Sequence, residues 1–451
     1  MRKSKKPSKT QPGTLDPDFG IGGVQALEKI LEDHGDLSVR FRFGGLATAK
    51  DGKLLFSASV YRNHDDQYLY GLGRLSTDGS LDRSFGTNGL VTGDFLPSLP
   101  AGGSRLTVQS AGNILMLGWT WRSASNGWAD LVIARFNSEG KPDTNFAEQG
   151  RRILPTKDYE ELIGESATVH VQSNGRILVS ANYATRGNPD QTMGVLFRLQ
   201  PNGALDESFN KTGRLEFKLA GSNVATAINA CISQGSDHKI VFVGHARFIP
   251  TLKTALFARL NPDGSPDAGF GSPKTPGFHL MDRIKDHTTF NALIKREEDN
   301  SLVGAGQIGQ GGAKSTKGLM QAITPNGAVH QLFNNGKPLV SQFDSNHDNG
   351  WQCIMQTRTG NLVTASTGNW IYIAQFKTHG VLDLAFNNKG YNDMQSEPRS
   401  PPVLLTERGD QRIIAGANVS GIDDKGVGQL RCLFGQGHAI DNHRAGNPRR
   451  Q

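Results

Sequence analysis

Apolar residues in this chain of 451 residues fall in short runs broken by polar turns, and no long stretch carries an apolar stripe of helical period. The stretch after residue 88 is representative. Residues 89–95 (GLVTGDF), 104–109 (SRLTVQ), 114–121 (ILMLGWTW) and 130–136 (DLVIARF) have strand length. They are rich in β-branched and aromatic residues and bounded by Gly, Asn and Asp, which predicts four successive strands. The same four beats recur at 213–217, 223–232, 239–245 and 255–260, and again at 337–343, 351–357, 361–366 and 370–376. Only 24–33 (VQALEKILED) reads as a short helix, either replacing or preceding the inner strand of the first unit.

The units are separated by a repeated heptapeptide in which Gly is followed three residues later by an acid and six later by Phe. Its copies are GTLDPDF (13–19), GSLDRSF (79–85), GKPDTNF (140–146), GALDESF (203–209), GSPDAGF (264–270), GAVHQLF (327–333) and GVLDLAF (380–386). The phenylalanines lie 66, 61, 63, 61, 63 and 53 positions apart. A recurring interval of this size marks a repeat architecture. Asp-Gly and Asn-Gly pairs such as Asp78-Gly79 and Asn202-Gly203 suit turns that need positive φ. The acid is placed to accept backbone N–H groups, and the Phe to plug the gap between neighbouring units.

A single four-stranded meander cannot bury both its faces. Stacking meanders around an axis does so and leaves few open edges. The predicted fold is therefore all-β, a seven-bladed propeller over 13–434, with linker copies at 13–23, 79–89, 140–150, 203–213, 264–277, 327–336 and 380–390. The last blade is predicted to end with its fourth strand at 427–434, and Phe19 to plug the seam between the last blade and the first. The polar tails 1–12 and 435–451 are expected to be disordered.

The segments LDPDFGIGG (15–23), LDRSFGTNG (81–89) and LDESFNKTG (205–213) resemble the delta-60 repeat, a bacterial β-propeller-like family. That resemblance implies a propeller common among secreted and surface proteins, and it transfers no catalytic residue. Copy six departs, with His330 in place of the acid, and copy five carries an insertion at 272–276.

The net charge of +7 changes little once it is located. Residues 1–13 carry Arg2, Lys3, Lys5, Lys6 and Lys9; residues 435–451 carry Arg444, Arg449 and Arg450 against Asp441, and the body between is formally neutral. No specific nucleic-acid surface is expected. Cys231, Cys353 and Cys432 are scattered over different units, which fits buried thiols rather than a disulfide framework or a zinc site. There is no secretory signal and no run that spans a bilayer, so the chain is expected in the cytoplasm or exported without a cleavable signal.

In a propeller of this kind, one face carries the linkers and short turns and the other carries irregular loops, where recognition is expected. The ligand-binding candidates there are Trp121, Trp128, Tyr183, Phe248 and Trp370, whose rings suit a sugar or a protein hot spot. The competing reading is that each caps a seam at a strand end. Asp94, Asp282, Asp286, Asp344, His347 and Asp348 are expected to converge on the channel mouth; no other cofactor than a divalent cation there is foreseen. Catalytic motifs are absent. The expectation is a non-enzymatic scaffold binding a protein or glycan. The alternatives are a propeller enzyme acting on carbohydrate through a multi-blade site at the channel mouth, and a targeting module of a secreted bacterial factor.

Overall fold

The computed structural model describes residues 11–436 except 32–33, 124–127, 158–159, 164–166, 220–223, 250–251, 283–285, 310–315, 346, 368–369, 395–397 and 421–425. The expected tails therefore lie outside the described residues, apart from 11–12 and 435–436. Seven antiparallel sheets form a seven-bladed β-propeller with almost no helix. Blade 1 runs from its inner strand Leu37–Thr48 through Leu54–Arg62 and Gln67–Leu75 to a short outer strand, Leu90–Gly93. Blades 2 to 6 repeat this order, with inner strands starting at Ala101, Glu160, Ala225, His287 and Gly350. In blade 3 the inner strand is broken into Glu160–Leu162 and Thr168–Val171, both paired with Ile177–Thr185.

The strand positions agree with the sequence pattern, but the frame is shifted by one strand. Residues 89–95 do not open a blade; Leu90–Gly93 closes blade 1 by pairing with the strand that precedes the linker. The linker thus lies inside each blade, between its third and outer strands. The reason is local. Leu75 bridges to Leu81 and the Arg74 N–H donates to the Gly89 carbonyl, so the linker folds back along the strand it has just left.

The shift also corrects the last blade. Gly426–Leu433 is its third strand, after Pro398–Glu407 and Ile413–Ser420, and the outer strand comes from the other end of the chain. Val24–Ala26 pairs with it in the register Val24↔Arg431, Gln25↔Leu430, Ala26↔Gln429. Residues 24–26 are therefore a closing strand. The helix is limited to Glu28–Leu31, which precedes the inner strand of blade 1.

Each linker Phe is buried between two blades. Phe85 packs with Leu55 and Leu72 of blade 1 and Met116 and Val132 of blade 2; Phe19 packs with Phe43 and Phe56 of blade 1 and Leu430 of blade 7. The linker Gly belongs to the same contact. Gly140 has φ of 86°, and a Cβ there would stand 2.7 Å from the Phe85 ring of the preceding linker. The repeated Gly and Phe thus meet each other across blades.

Backbone hydrogen bonds close this arrangement into a ring. Gly20, Gly86, Ala147, Asn210, Gly271, Asn334 and Asn387 donate to the carbonyls of Asp78, Glu139, Asn202, Asp263, Asn326, His379 and Pro12 at 2.7–3.0 Å. In blades 1 to 4 an Arg holds the linker acid and lies over its Phe, as Arg198 does with Asp206 at 2.7 Å and Phe209 at 4.9 Å. In blade 5 Ala322 stands at the Arg position and His330 at the acid. There Arg296, from the inner-strand turn, pairs with Asp299 and donates to the Thr378 carbonyl of the next linker. All three cysteines are free: Cys231 and Cys432 are buried and Cys353 half-buried.

Candidate functional site

Successive antiparallel strands send the linkers and inner-strand turns to one side of the ring, and the remaining connections to the other. The frame shift leaves that division intact, so the irregular loops still share one side. On it, the most elaborate constellation gathers at blade 3. Its outer strand, Arg214–Glu216, alternates two charged side chains about Leu215 and so projects both to one face. Glu160, at the start of the broken inner strand, is buried and faces them.

Arg214 donates through Nη2 to both Glu160 oxygens, at 2.7 and 2.8 Å, and through Nη1 to Glu216. The Lys157 backbone N–H donates to Glu160 Oε2 at 2.9 Å, and its ammonium reaches Glu216. Burial favours the neutral form of Glu216, but Lys157 and Arg214 outweigh it and hold the carboxyl below the usual range. Arg214 lies over the rings of Phe197 at 5.8 Å and Tyr183 at 6.0 Å. The chain has therefore placed a fixed pair of carboxylates around one guanidinium, with an aromatic floor beneath it.

Two cavities flank this cluster and share Glu216 and Lys218. One, of about 310 Å³, lies between blades 3 and 4 and is lined by Glu160, Tyr183, Gln191, Met193, Val224 and Thr226 among others. The second, about 720 Å³ and more open, is lined by Pro155, Lys157, Asn210, Thr212 and Arg214.

Of the five aromatic candidates, Tyr183 departs from its expected exposure. It is fully buried in the core between blades 2 and 3, because it sits on the second strand and not at the loop tip. Burial pushes its phenol up to about 12. Trp121 and Trp128 are half-buried at the mouth of the blade 2 hairpin, where the Arg122 N–H donates to the Trp128 carbonyl at 2.8 Å. Arg186, one residue beyond the cavity-lining Thr185, lies 3.2 Å from the centroid of the Trp128 ring. Phe248 is half-buried against the core between blades 3 and 4, and Trp370 against that between blades 5 and 6.

The six channel-mouth candidates are spread over three seams. Asp94 accepts the Ser98 N–H at 3.1 Å; Asp282 is exposed after the outer strand of blade 4; Asp286 immediately precedes the inner strand of blade 5. Asp344 and His347 share a hydrogen bond of 2.7 Å, and the His347 ring meets the edge of Trp370 at 5.2 Å. Asp348 accepts the Thr316 N–H at 2.8 Å. Among the described residues no group of three His, Cys, Asp or Glu side chains is placed to hold a metal ion.

The sequence pattern singles out neither Arg214 nor Glu216. The available signal was the charged i, i+2 pair on an outer strand, which the other six blades lack.

Segments 49–85, 109–146, 172–209 and 235–270 match the family described as "Domain of unknown function (DUF5122) beta-propeller". They fall in blades 1 to 4, and each ends on its linker Phe. The repeat is thus similar to one from a β-propeller family of unknown function. No curated protein matches the chain. Among solved structures, a protein of unknown function from Dyadobacter fermentans is similar at 12% identity and a TM-score of 0.45, over 92% of this chain and 100% of that one. An α-L-arabinofuranosidase from Fusarium graminearum is similar at 10% and 0.41, over 88% and 93%. The β-propeller domain of the Trilobed protease from Pyrococcus furiosus is similar at 7% and 0.41, over 89% and 98%.

Proposed function

We propose that this chain is a non-enzymatic binding propeller of the delta-60 repeat kind, and that it holds a glycan in the cleft between blades 3 and 4. The observation that carries the reading is the cleft itself. At about 310 Å³ it has the size of a small-molecule site, and a protein partner would engage a broader surface. Its wall offers carboxylate, ammonium, amide and hydroxyl groups, while Met193, Phe217 and Val224 supply apolar area. That mixture suits a sugar ring, which needs directional hydrogen bonds at its rim and apolar contact on its face.

The same geometry weighs against glycoside hydrolysis. Such chemistry needs one carboxyl that is still protonated, to donate to the leaving oxygen. Both oxygens of Glu160 are taken by Arg214, and Glu216 is held ionised. The test is a glycan panel read by calorimetry with the wild type and with Gln191→Ala/Lys218→Ala, which spares the buried pair. The reading expects one glycan class to bind and the variant to weaken it about tenfold or more. Equal binding by both proteins overturns the cleft, and release of reducing sugar overturns the non-enzymatic role.

A further inference from the structure

Five large apolar side chains are exposed among the described residues: Ile21, Leu332, Val340, Val381 and Leu384. Scattered singly they would need no explanation. All five lie on the linkers or outer strands of blades 5, 6 and 7, which are neighbours in the ring. Leu332 is 81% exposed and Leu384 65%. At the position of Leu332, blades 1 to 3 carry Ser84, Asn145 and Ser208; at that of Leu384, they carry Arg83, Thr144 and Glu207.

The charge of this side of the ring is mixed throughout. The linkers of blades 1 to 4, with the turns that open them, expose Asp78, Glu139, Glu207 and Asp263 together with Arg83, Lys141, Lys211 and Lys274. Those of blades 5 and 6 expose Lys337 and Lys377, and the inner-strand turns beside them expose Glu297, Glu298 and Arg358; Asp383 is buried and Asp393 is paired with Lys389 at 2.9 Å, so the basic excess near this surface comes from the ends of the chain. Both ends of the described chain also leave from this place. The Pro12 carbonyl accepts the Asn387 N–H at 2.7 Å, and Gln436 hydrogen-bonds to Asn361 and Asp383. The segments beyond them, 1–10 and 437–451, hold five and three Arg or Lys residues against one Asp, which accounts for the whole net charge of +7.

We infer that the linker side of blades 5 and 6, with Ile21 of the closing linker, is a docking surface for an anionic lipid bilayer. Exposed Leu and Val on loop tips enter the interface, and the basic end segments are drawn to the charged headgroups. Two weak terms acting together give reversible attachment, as peripheral binding requires. No helix among the described residues is long and apolar enough to cross a membrane. The glycan cleft would then face away from the lipid, on the opposite side of the ring.

The test is co-sedimentation of the full chain with vesicles of phosphatidylcholine, with and without phosphatidylglycerol. The wild type is expected to sediment with the anionic vesicles only. Leu332→Asp/Leu384→Asp, which leaves both end segments intact, should weaken that partitioning about tenfold or more while melting like the wild type. Failure of the wild type to sediment with anionic vesicles, which would make a protein the occupant of this surface, overturns the inference. So does an unchanged double variant, or equal sedimentation with neutral vesicles.

Discussion

Each linker phenylalanine sits where neither adjoining blade could shield it alone, and its burial joins the two. Phe146 is fully buried among residues of blades 2 and 3, so Phe146→Ala should cost about 3–5 kcal/mol in denaturant unfolding. A loss under about 1 kcal/mol would mean the seam closes without its plug. The buried Arg198–Asp206 pair gives a second expectation: Arg198→Ala leaves Asp206 with Arg176 at 2.9 Å but removes the hydrogen bond Arg198 makes across the seam, and should cost about 1–3 kcal/mol. Because Arg296 does the equivalent work in blade 5, Arg296→Ala should destabilise comparably, although its sequence position differs. Histidines set the pH response. Burial holds His170 at about 4 and His245 at about 3, against an ordinary 6.5. The native state then binds fewer protons than the unfolded chain, so their contribution is complete above pH 6.5 and is lost as pH falls toward 4. Melting temperature followed over that window should fall on acidification, and less steeply in His170→Gln; a slope unchanged in that variant would contradict the assignment.

At the scale of the element, bulges in the inner strands free backbone groups that a neighbouring blade must satisfy. Asn182 accepts from the Ile228 N–H at 2.8 Å and donates to its carbonyl at 3.1 Å; Asn418 does the same for Phe43. Asn182→Leu should therefore cost about 1–3 kcal/mol by leaving buried backbone groups unpaired, and hydrogen exchange at Ile228 should accelerate. Unchanged exchange there would remove the bridge from the account. The strands themselves were legible because turn residues bound short apolar runs and the heptapeptide recurs. Their frame was not, since a periodic pattern has no intrinsic start. Which strand lies innermost depends on the linker folding back along its own blade, and the exposed inference for Tyr183 failed for a related reason: a strand residue near a loop reads like a loop residue. The cleft was illegible because Glu160 and Arg214 are 54 positions apart and meet only once blade 3 has formed.

Across the whole molecule, a ring of unequal sides emerges from nearly equal units. Blades 1 to 4 carry polar linkers of mixed charge, while blades 5 to 7 carry the exposed apolar ones, and the loops above blades 3 and 4 carry the cleft. Such differences have fixed relative positions only if the circle is shut. Closure rests on three residues of the N-terminal region, Val24–Ala26, completing a blade built from the other end of the chain. The measurement that bears on this most directly is a disulfide between Val24→Cys and Arg431→Cys, which face each other in the register. Peptide mapping of the oxidised protein should find that bond in the monomer, with a raised melting temperature that reduction reverses. Oxidised protein in which these two cysteines stay free, or join only between molecules, would contradict the closed ring.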